Sequence, residues 1–185
     1  MFRQSTSCRQ IAAFLRGGGL IAYPTESCYG LGCDPNNRKA VQRLLKLKQR
    51  PQHKGLILLA ANYQQLARYL QPLTVAEQQR LLEAGASVIT CLMPARAGCP
   101  RWLTGQHATL AVRLSAHPYA KRLSLGVDSA LVSTSANRSG QRSAKTYEQC
   151  KQLFGSQVWV LPGYTGKRKQ PSTIQAWTDG KIVRK

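Results

Sequence analysis

The amino-acid sequence predicts an α/β fold built on a mixed (parallel and antiparallel) sheet flanked by helices. Three observations carry this. Short apolar runs of strand length alternate with segments whose apolar residues fall at helical spacing. Residues 173–177 and 181–184 flank an Asp179-Gly180 turn, so the sheet ends in a hairpin and is not purely parallel. No repeat, linker or low-complexity stretch divides the 185 residues, of which 43% are hydrophobic, so a single domain over 1–185 is expected.

The elements follow in order. Ser7 is placed to cap a helix carrying Ile11, Ala12, Phe14 and Leu15, which Gly17, Gly18 and Gly19 end. Residues 20–23 form a short apolar strand, and 24–34, with Gly30 and Gly32, read as a loop. Asn37 caps a helix in which Ala40, Val41, Leu44, Leu45 and Lys48 share one face. Residues 56–60 are a continuous apolar strand, and Asn62 opens another helix. Thr74 and Glu77 make a capping box for a helix over 75–83. Residues 87–93 read as a strand, 94–105 as a long loop and 109–114 as a strand, after which Pro118 suits the first turn of a helix. The strand 131–134 runs into a polar loop, 135–143. Thr146 starts a helix ending near Gly155, and the strand 158–161 precedes the hairpin.

Charge is the least ordinary feature. Lys and Arg number 27 against 7 Asp and Glu, a formal net charge of +20. Such an excess attracts polyanions: RNA, nucleotides or an acidic membrane surface. Cys8, Cys28, Cys33, Cys91, Cys99 and Cys150 form no CxxC pair, and His53, His107 and His117 complete no zinc pattern, so no metal site is expected. Residues 1–10 are too polar for a secretion signal and no apolar run approaches a membrane span. The expectation is a cytoplasmic protein with free thiols and no membrane partner.

Several chemistries lack their parts. GxxxxGK[ST] is absent, Gly30-Leu31-Gly32 lacks the third glycine of a dinucleotide fingerprint, and no GxSxG is present. The carboxylates are Glu26, Asp34, Glu77, Glu83, Asp128, Glu148 and Asp179, a poor supply for paired-carboxylate or two-metal catalysis. What remains is cations and hydroxyls in loops beside strands. Residues 23–32 offer hydroxyls, backbone amides and two glycines that permit close approach, though an ordinary tight loop fits them as well. Lys48, Arg50 and Lys54 cluster at a helix end, where cations are also expected for dipole reasons; together they suit a triphosphate. Residues 133–140 carry small hydroxyls and Asn137, suited to phosphate or ribose, or simply to a Ser-rich turn.

Taken together, the strings YPTES-CYGLGCD at 23–34, LKQRPQHKGLILLAANYQQL at 47–66, PRWLTG at 100–105, LAVRL at 110–114, HP at 117–118, STSANRSG at 133–140 and PSTI at 171–174 resemble the YrdC family, in its bacterial TsaC branch. The resemblance runs from about Ile11 to Arg184. It implies a twisted mixed sheet with a concave, positively charged face. It also implies a reaction: L-threonine, bicarbonate or CO2, and ATP give L-threonylcarbamoyl-AMP and pyrophosphate. A separate transferase complex then modifies adenosine 37 of tRNAs reading codons that begin with A. The family's KxR…SxN signature falls on Lys48, Arg50, Ser135 and Asn137.

By the same resemblance Arg50, Lys54, Thr109, Ser133, Ser135, Asn137, Ser143 and Arg184 surround ATP. Ser27, Arg113 and Ser172 line the threonine site, with Leu59 adding backbone and apolar contact. Lys48 and Arg50 are read as catalytic, balancing charge on the triphosphate; Arg113 holds the threonine carboxylate; Mg2+ rides on ATP. Many relatives carry a WPGP-like segment where this chain has Gly85-Ala86-Ser87-Val88, so that loop is expected to differ. A non-catalytic RNA-binding or ribosome-maturation protein of the same fold is the alternative. Lys39, Arg43 and Lys46 on one helix face and Lys167-Arg168-Lys169 support it; an aromatic content of 7% without an RNP-type motif does not.

Overall fold

Capping chemistry sets most of the helix starts. In the computed structural model, which describes residues 7–184, Ser7 Oγ accepts from the Arg9 N–H while Gln10 reaches back to the Ser7 N–H, opening α1 (Cys8–Arg16). Residues 1–6 and 185, which the single-domain reading also takes in, lie outside the described residues, as does most of the polar stretch 1–10. β1 (Ile21–Pro24) and β2 (Tyr29–Cys33) form an antiparallel pair, so the segment read as a loop over 24–34 contains a strand. Its glycines sit where neighbours press close: a Cβ on Gly32 would lie 2.7 Å from the Val132 carbonyl oxygen.

Asn37 Oδ1 accepts from the Ala40 N–H at 3.0 Å and starts α2 (Arg38–Lys48). β3 (Ile57–Ala60) follows a short 3-10 turn, Gln52–Lys54. The helix expected from Asn62 does not form. Asn62 Oδ1 accepts from the Gln65 N–H at 3.2 Å, as a cap would, but the chain continues in turns to Leu70, which bridges to Ala95. Burial of Leu66, Tyr69 and Leu70 in the core overrides the local signal.

The Thr74–Glu77 box opens α3 (Val75–Ala86), which runs through Ala86, past the expected end at 83. Val88 then adopts φ 57°, a left-handed conformation that strains a β-branched residue. β4 (Ile89–Pro94) leads to α4 (Arg101–Thr104), a short helix inside the expected loop. β5 (Thr109–Leu114), α5 (Pro118–Val127) and β6 (Leu131–Ser135) come next. α6 (Tyr147–Phe154), capped by Thr146, precedes the two-residue β7 (Trp159–Val160) and the hairpin of β8 (Thr173–Ala176) and β9 (Ile182–Arg184).

The nine strands form one sheet in the order β7-β1-β2-β6-β3-β5-β4-β8-β9. The pairs β1–β7, β3–β5 and β4–β8 are parallel and the rest antiparallel, the mixed α/β sheet the sequence predicts. Alternation sorts the side chains onto two faces. Ala22, Leu58, Ala60, Val112 and Val132 enter the larger core with residues of α2, α3 and α6. Ile21, Tyr23, Leu59 and Leu131 point the other way, into a smaller core under α1 and α5. Further along that second face stand Ile57, Ala111, Arg113, Leu92, Ser133 and Ser135, which line a hollow instead of a helix interface.

Candidate active site

The hollow has a volume of about 390 Å³. Arg50, Lys54, Thr109, Ser133, Ser135, Ser143 and Arg184 line it, as do Ser27, Arg113 and Ser172. They come from the loop after β1, the segment after α2, strands β5 and β6, the loop after β6, and the terminal hairpin with its lead-in. Leu59 is buried in the smaller core under α1 and α5 and lines no part of the hollow.

Arg50 reaches the hollow because Gln49, at φ 52°, reverses the chain at the end of α2 and Pro51 cannot continue the helix. Its Nη2 donates to the Gly55 carbonyl at 3.1 Å. Gly55 must be glycine there: its φ is +62° and a Cβ would stand 2.9 Å from the Thr104 carbonyl oxygen. Arg184 Nη2 donates to the Ser172 carbonyl at 3.0 Å, and Ser172 Oγ pairs with Thr90 Oγ1 at 2.8 Å. Arg113 projects from β5, its Nη2 3.2 Å from Glu26 Oε2. Burial, then Arg184, holds the Arg50 guanidinium below its ordinary pKa; burial, then Arg113, does the same to Arg184. Three guanidiniums thus crowd one hollow, and the buried Nε–H groups of Arg50 and Arg113 have no acceptor. An incoming polyanion relieves both the repulsion and the unmet hydrogen bonds.

Lys48 and Asn137 were expected beside ATP, but neither lines the hollow. Lys48 stands one turn beyond Leu44 and Leu45 on the buried face of α2 and is 4% exposed. Its ammonium donates to the carbonyls of Ser135 (2.5 Å) and Asn137 (2.8 Å) and to Asn137 Oδ1 (3.2 Å). Asn137 Oδ1 also accepts from Ser135 Oγ, and its Nδ2 donates to the carbonyls of Arg138 (2.9 Å) and Gln141 (2.7 Å). Every N–H of both side chains is therefore committed within the protein. The two hold the loop after β6, and with it Ser135, against the hollow. Burial, with Arg50 beside it, pushes the Lys48 ammonium down to about 8.

Glu26 is the residue that sequence reasoning passed over. It is 7% exposed, and its Oε1 accepts from Ser115 Oγ (2.8 Å), Ala116 N–H (3.0 Å) and His117 N–H (3.2 Å). Burial alone would raise its pKa; Arg113 and the hydrogen bonds outweigh that and hold it below the ordinary 4.5. A lone acid between Thr25 and Ser27, in so basic a chain, was the available signal. The apolar lining residues Ile57, Ala111 and Ile174 were also missed, although alternation from Leu58 and Arg113 places the first two on this face. A second hollow of about 670 Å³ adjoins the first across Ser27, Cys28, Ser143 and Pro171 and bears Arg142, Lys145 and Lys169. Among the described residues no cluster of His, Cys, Asp or Glu is placed to hold a metal ion, and no helix is long and apolar enough to cross a membrane.

A mixed sheet with a basic hollow on its half-covered face defines an α/β protein whose site is suited to a polyanion. The Sua5/YciO/YrdC family model, described as "Telomere recombination", matches residues 13–185, and the chain belongs to that family. It is 51% identical over 176 residues to a protein of Methylobacillus flagellatus named threonylcarbamoyl-AMP synthase, covering 95% of this chain and 98% of the relative. A protein of the same name from Nitrosococcus oceani is 49% identical over 177 residues, covering 95% and 96%. Among solved structures, P. abyssi Sua5 complexed with L-threonine superposes with a TM-score of 0.84 at 28% identity over 95% of this chain, which spans about half (52%) of that one. E. coli YciO superposes with a TM-score of 0.80 at 27% identity, covering 96% of this chain and 88% of its own.

Proposed function

We propose that the protein is a threonylcarbamoyl-AMP synthase acting through this hollow. L-threonine, bicarbonate or CO2, and ATP give L-threonylcarbamoyl-AMP and pyrophosphate. The threonine amine adds to CO2 to form a carbamate; a carbamate oxygen attacks the α-phosphorus in line, and pyrophosphate leaves. Such a reaction asks for positioning and charge neutralisation more than covalent help, and a hollow rich in cations and hydroxyls supplies both. The observation that carries the reading is the crowding of Arg50, Arg113 and Arg184 with two buried, unmatched Nε–H groups.

Arg50, Lys54 and Arg184 take the phosphates, with Thr109, Ser133, Ser135 and Ser143 supplying hydroxyls. Arg113 takes the threonine carboxylate, with Ser27 and Ser172 beside it. Arg50 is the catalytic cation of the signature; Lys48 and Asn137 act as positioning residues through the loop they hold. Mg2+ enters as part of the substrate, on the triphosphate oxygens. The product passes in the cytoplasm to a transferase complex that modifies adenosine 37 of tRNAs reading codons that begin with A, and the basic surface favours a transient approach of the tRNA itself. Residues 1–185 act as one domain. The non-catalytic RNA-binding alternative explains the net charge but gives no reason for buried, unmatched guanidinium donors inside a hollow.

The test is pyrophosphate release from ATP, with labelled bicarbonate followed into the product. The reading expects release that needs threonine and bicarbonate together, and label in an adenylate. Release indifferent to threonine, or label that never reaches a nucleotide, overturns it.

A further inference from the structure

We infer that Glu26 is a positioning residue for the amino-acid end of the hollow: it orients the Arg113 guanidinium and offsets part of its charge, so that threonine and triphosphate are sorted to opposite ends. This rests on the synthase reading and deepens it. Glu26 stands behind Arg113 and does not itself line the hollow. The two side chains are 9% and 11% exposed. The carboxylate is aimed by three donors on Oε1, leaving Oε2 without a hydrogen bond and facing the Arg113 guanidinium as an ion pair.

Its main chain is held as firmly. The Glu26 carbonyl accepts from the Arg168 N–H at 3.1 Å, and the Thr25 carbonyl from the Gly166 N–H at 2.9 Å. Arg113 therefore faces an anchor that cannot follow it, and a fork held in one direction loses less freedom when it grips a carboxylate. Charge does the sorting. Arg50 and Arg184 have no acidic partner among the described residues, whereas Arg113 is paired with Glu26, so positive charge is unopposed at one end of the hollow and partly offset at the other. A triphosphate is drawn to the first two; a zwitterion, carrying no net charge, loses nothing at the third. Glu26 is also a poor proton acceptor, since its own neighbours keep it ionised, so positioning and not base catalysis is its part.

The experiment compares wild type, Glu26→Gln, Arg113→Lys and the double variant by threonine-dependent pyrophosphate release, with L-threonine affinity by calorimetry. Glutamine keeps an acceptor for Ser115, Ala116 and His117, removes the charge, and turns an amide NH2 toward Arg113 in place of Oε2. Glu26→Gln is expected to raise the threonine KM about tenfold, with the ATP KM and kcat within about threefold; in the Arg113→Lys background it should add less than about threefold, because the oriented fork is already lost. Equal rises in both KM values, or effects that multiply in the double variant, mark a merely structural role and overturn the inference. Should Glu26→Gln not fold, Ser115→Ala removes one aiming hydrogen bond, together with the one the Ser115 hydroxyl accepts from the His117 N–H, and leaves the charges alone; it is expected to raise the threonine KM about threefold, and no rise counts against the inference. Wild type without threonine-dependent release overturns the synthase reading instead. Calorimetry then still judges Glu26: a roughly tenfold weaker threonine affinity in Glu26→Gln supports it and an unchanged affinity rejects it.

Discussion

Replacing Lys48 by methionine keeps the length and the apolar stem and deletes the ammonium. Three acceptors lose a donor, but not equally. The Ser135 carbonyl still accepts from the Asn137 N–H at 3.0 Å, and Asn137 Oδ1 still accepts from Ser135 Oγ. The Asn137 carbonyl is left without the contact it had. One orphaned acceptor costs about 1–3 kcal/mol. For a chain of this size that lowers the unfolding midpoint by roughly 2–12 °C. Ser135, at the end of β6 where that loop begins, loses its support, so turnover falls about tenfold or more and the ATP KM rises. Thermal unfolding followed by circular dichroism and steady-state pyrophosphate release measure the two effects. A variant with an unchanged midpoint and an ATP KM equal to wild type would refute the reasoning. Lys48 also sets a pH limb. Its folded value, about 8, lies below the ordinary 10.5, so folding disfavours the charged form. Its contribution to stability therefore rises between about pH 8 and 10.5, while turnover falls as the loop loses its cation. The residual activity of Lys48→Met should lack that limb.

Arg50→Ala should lower threonine-dependent pyrophosphate release about a hundredfold, and release within twofold of wild type would remove Arg50 from the catalytic role. Arg113→Ala strands a buried carboxylate and should cost about 3–5 kcal/mol in urea denaturation; adding Glu26→Gln should restore much of this, and a further loss would contradict the pairing. The folded Glu26 pKa is lowered, so its stabilisation is complete above about 4.5 and is lost as the pH falls below that value. Glu26→Gln should flatten the acid limb of stability against pH, and a limb identical to wild type would show the pair to be unimportant. Val88→Gly relieves a strained φ of 57° and should raise the unfolding midpoint by roughly 1–4 °C, whereas a lower midpoint would show that the Val88 side chain matters more than its backbone.

Much of the architecture was legible because capping residues and apolar spacing are local signals. Ser7, Asn37, Thr74 and Thr146 each cap the helix they were read to cap. β2 was not legible: Tyr29-Gly30-Leu31-Gly32-Cys33 reads as a loop, and only the closeness of Val132 and Tyr23 explains glycine within a strand. The false helix at Asn62 is the opposite case, a real local hydrogen bond overruled by distant burial. The lining of the hollow was reached through ordered family strings; no local pattern joins Ser27 to Arg184. The inward turn of Lys48 had a trace in the sequence, a cation in register with Ala40, Val41, Leu44 and Leu45. Glu26 had a weaker trace, a lone acid in a basic chain, but its pairing with Arg113 had none, since nothing in either neighbourhood refers to the other.

The strand order carries a consequence for how the molecule comes into being. β1 is completed along one edge by β7, and β4 by β8, partners drawn from far later in the chain. The hollow takes Thr25 and Ser27 from the earlier part and Ser172 and Arg184 from the later. Half-assembled chains therefore own no pocket to occupy, and a nucleotide can reward only the finished article. Nucleotide bound there is expected to slow exchange of amide protons across the whole sheet and not around the ligand alone, which hydrogen exchange with and without ATP would measure.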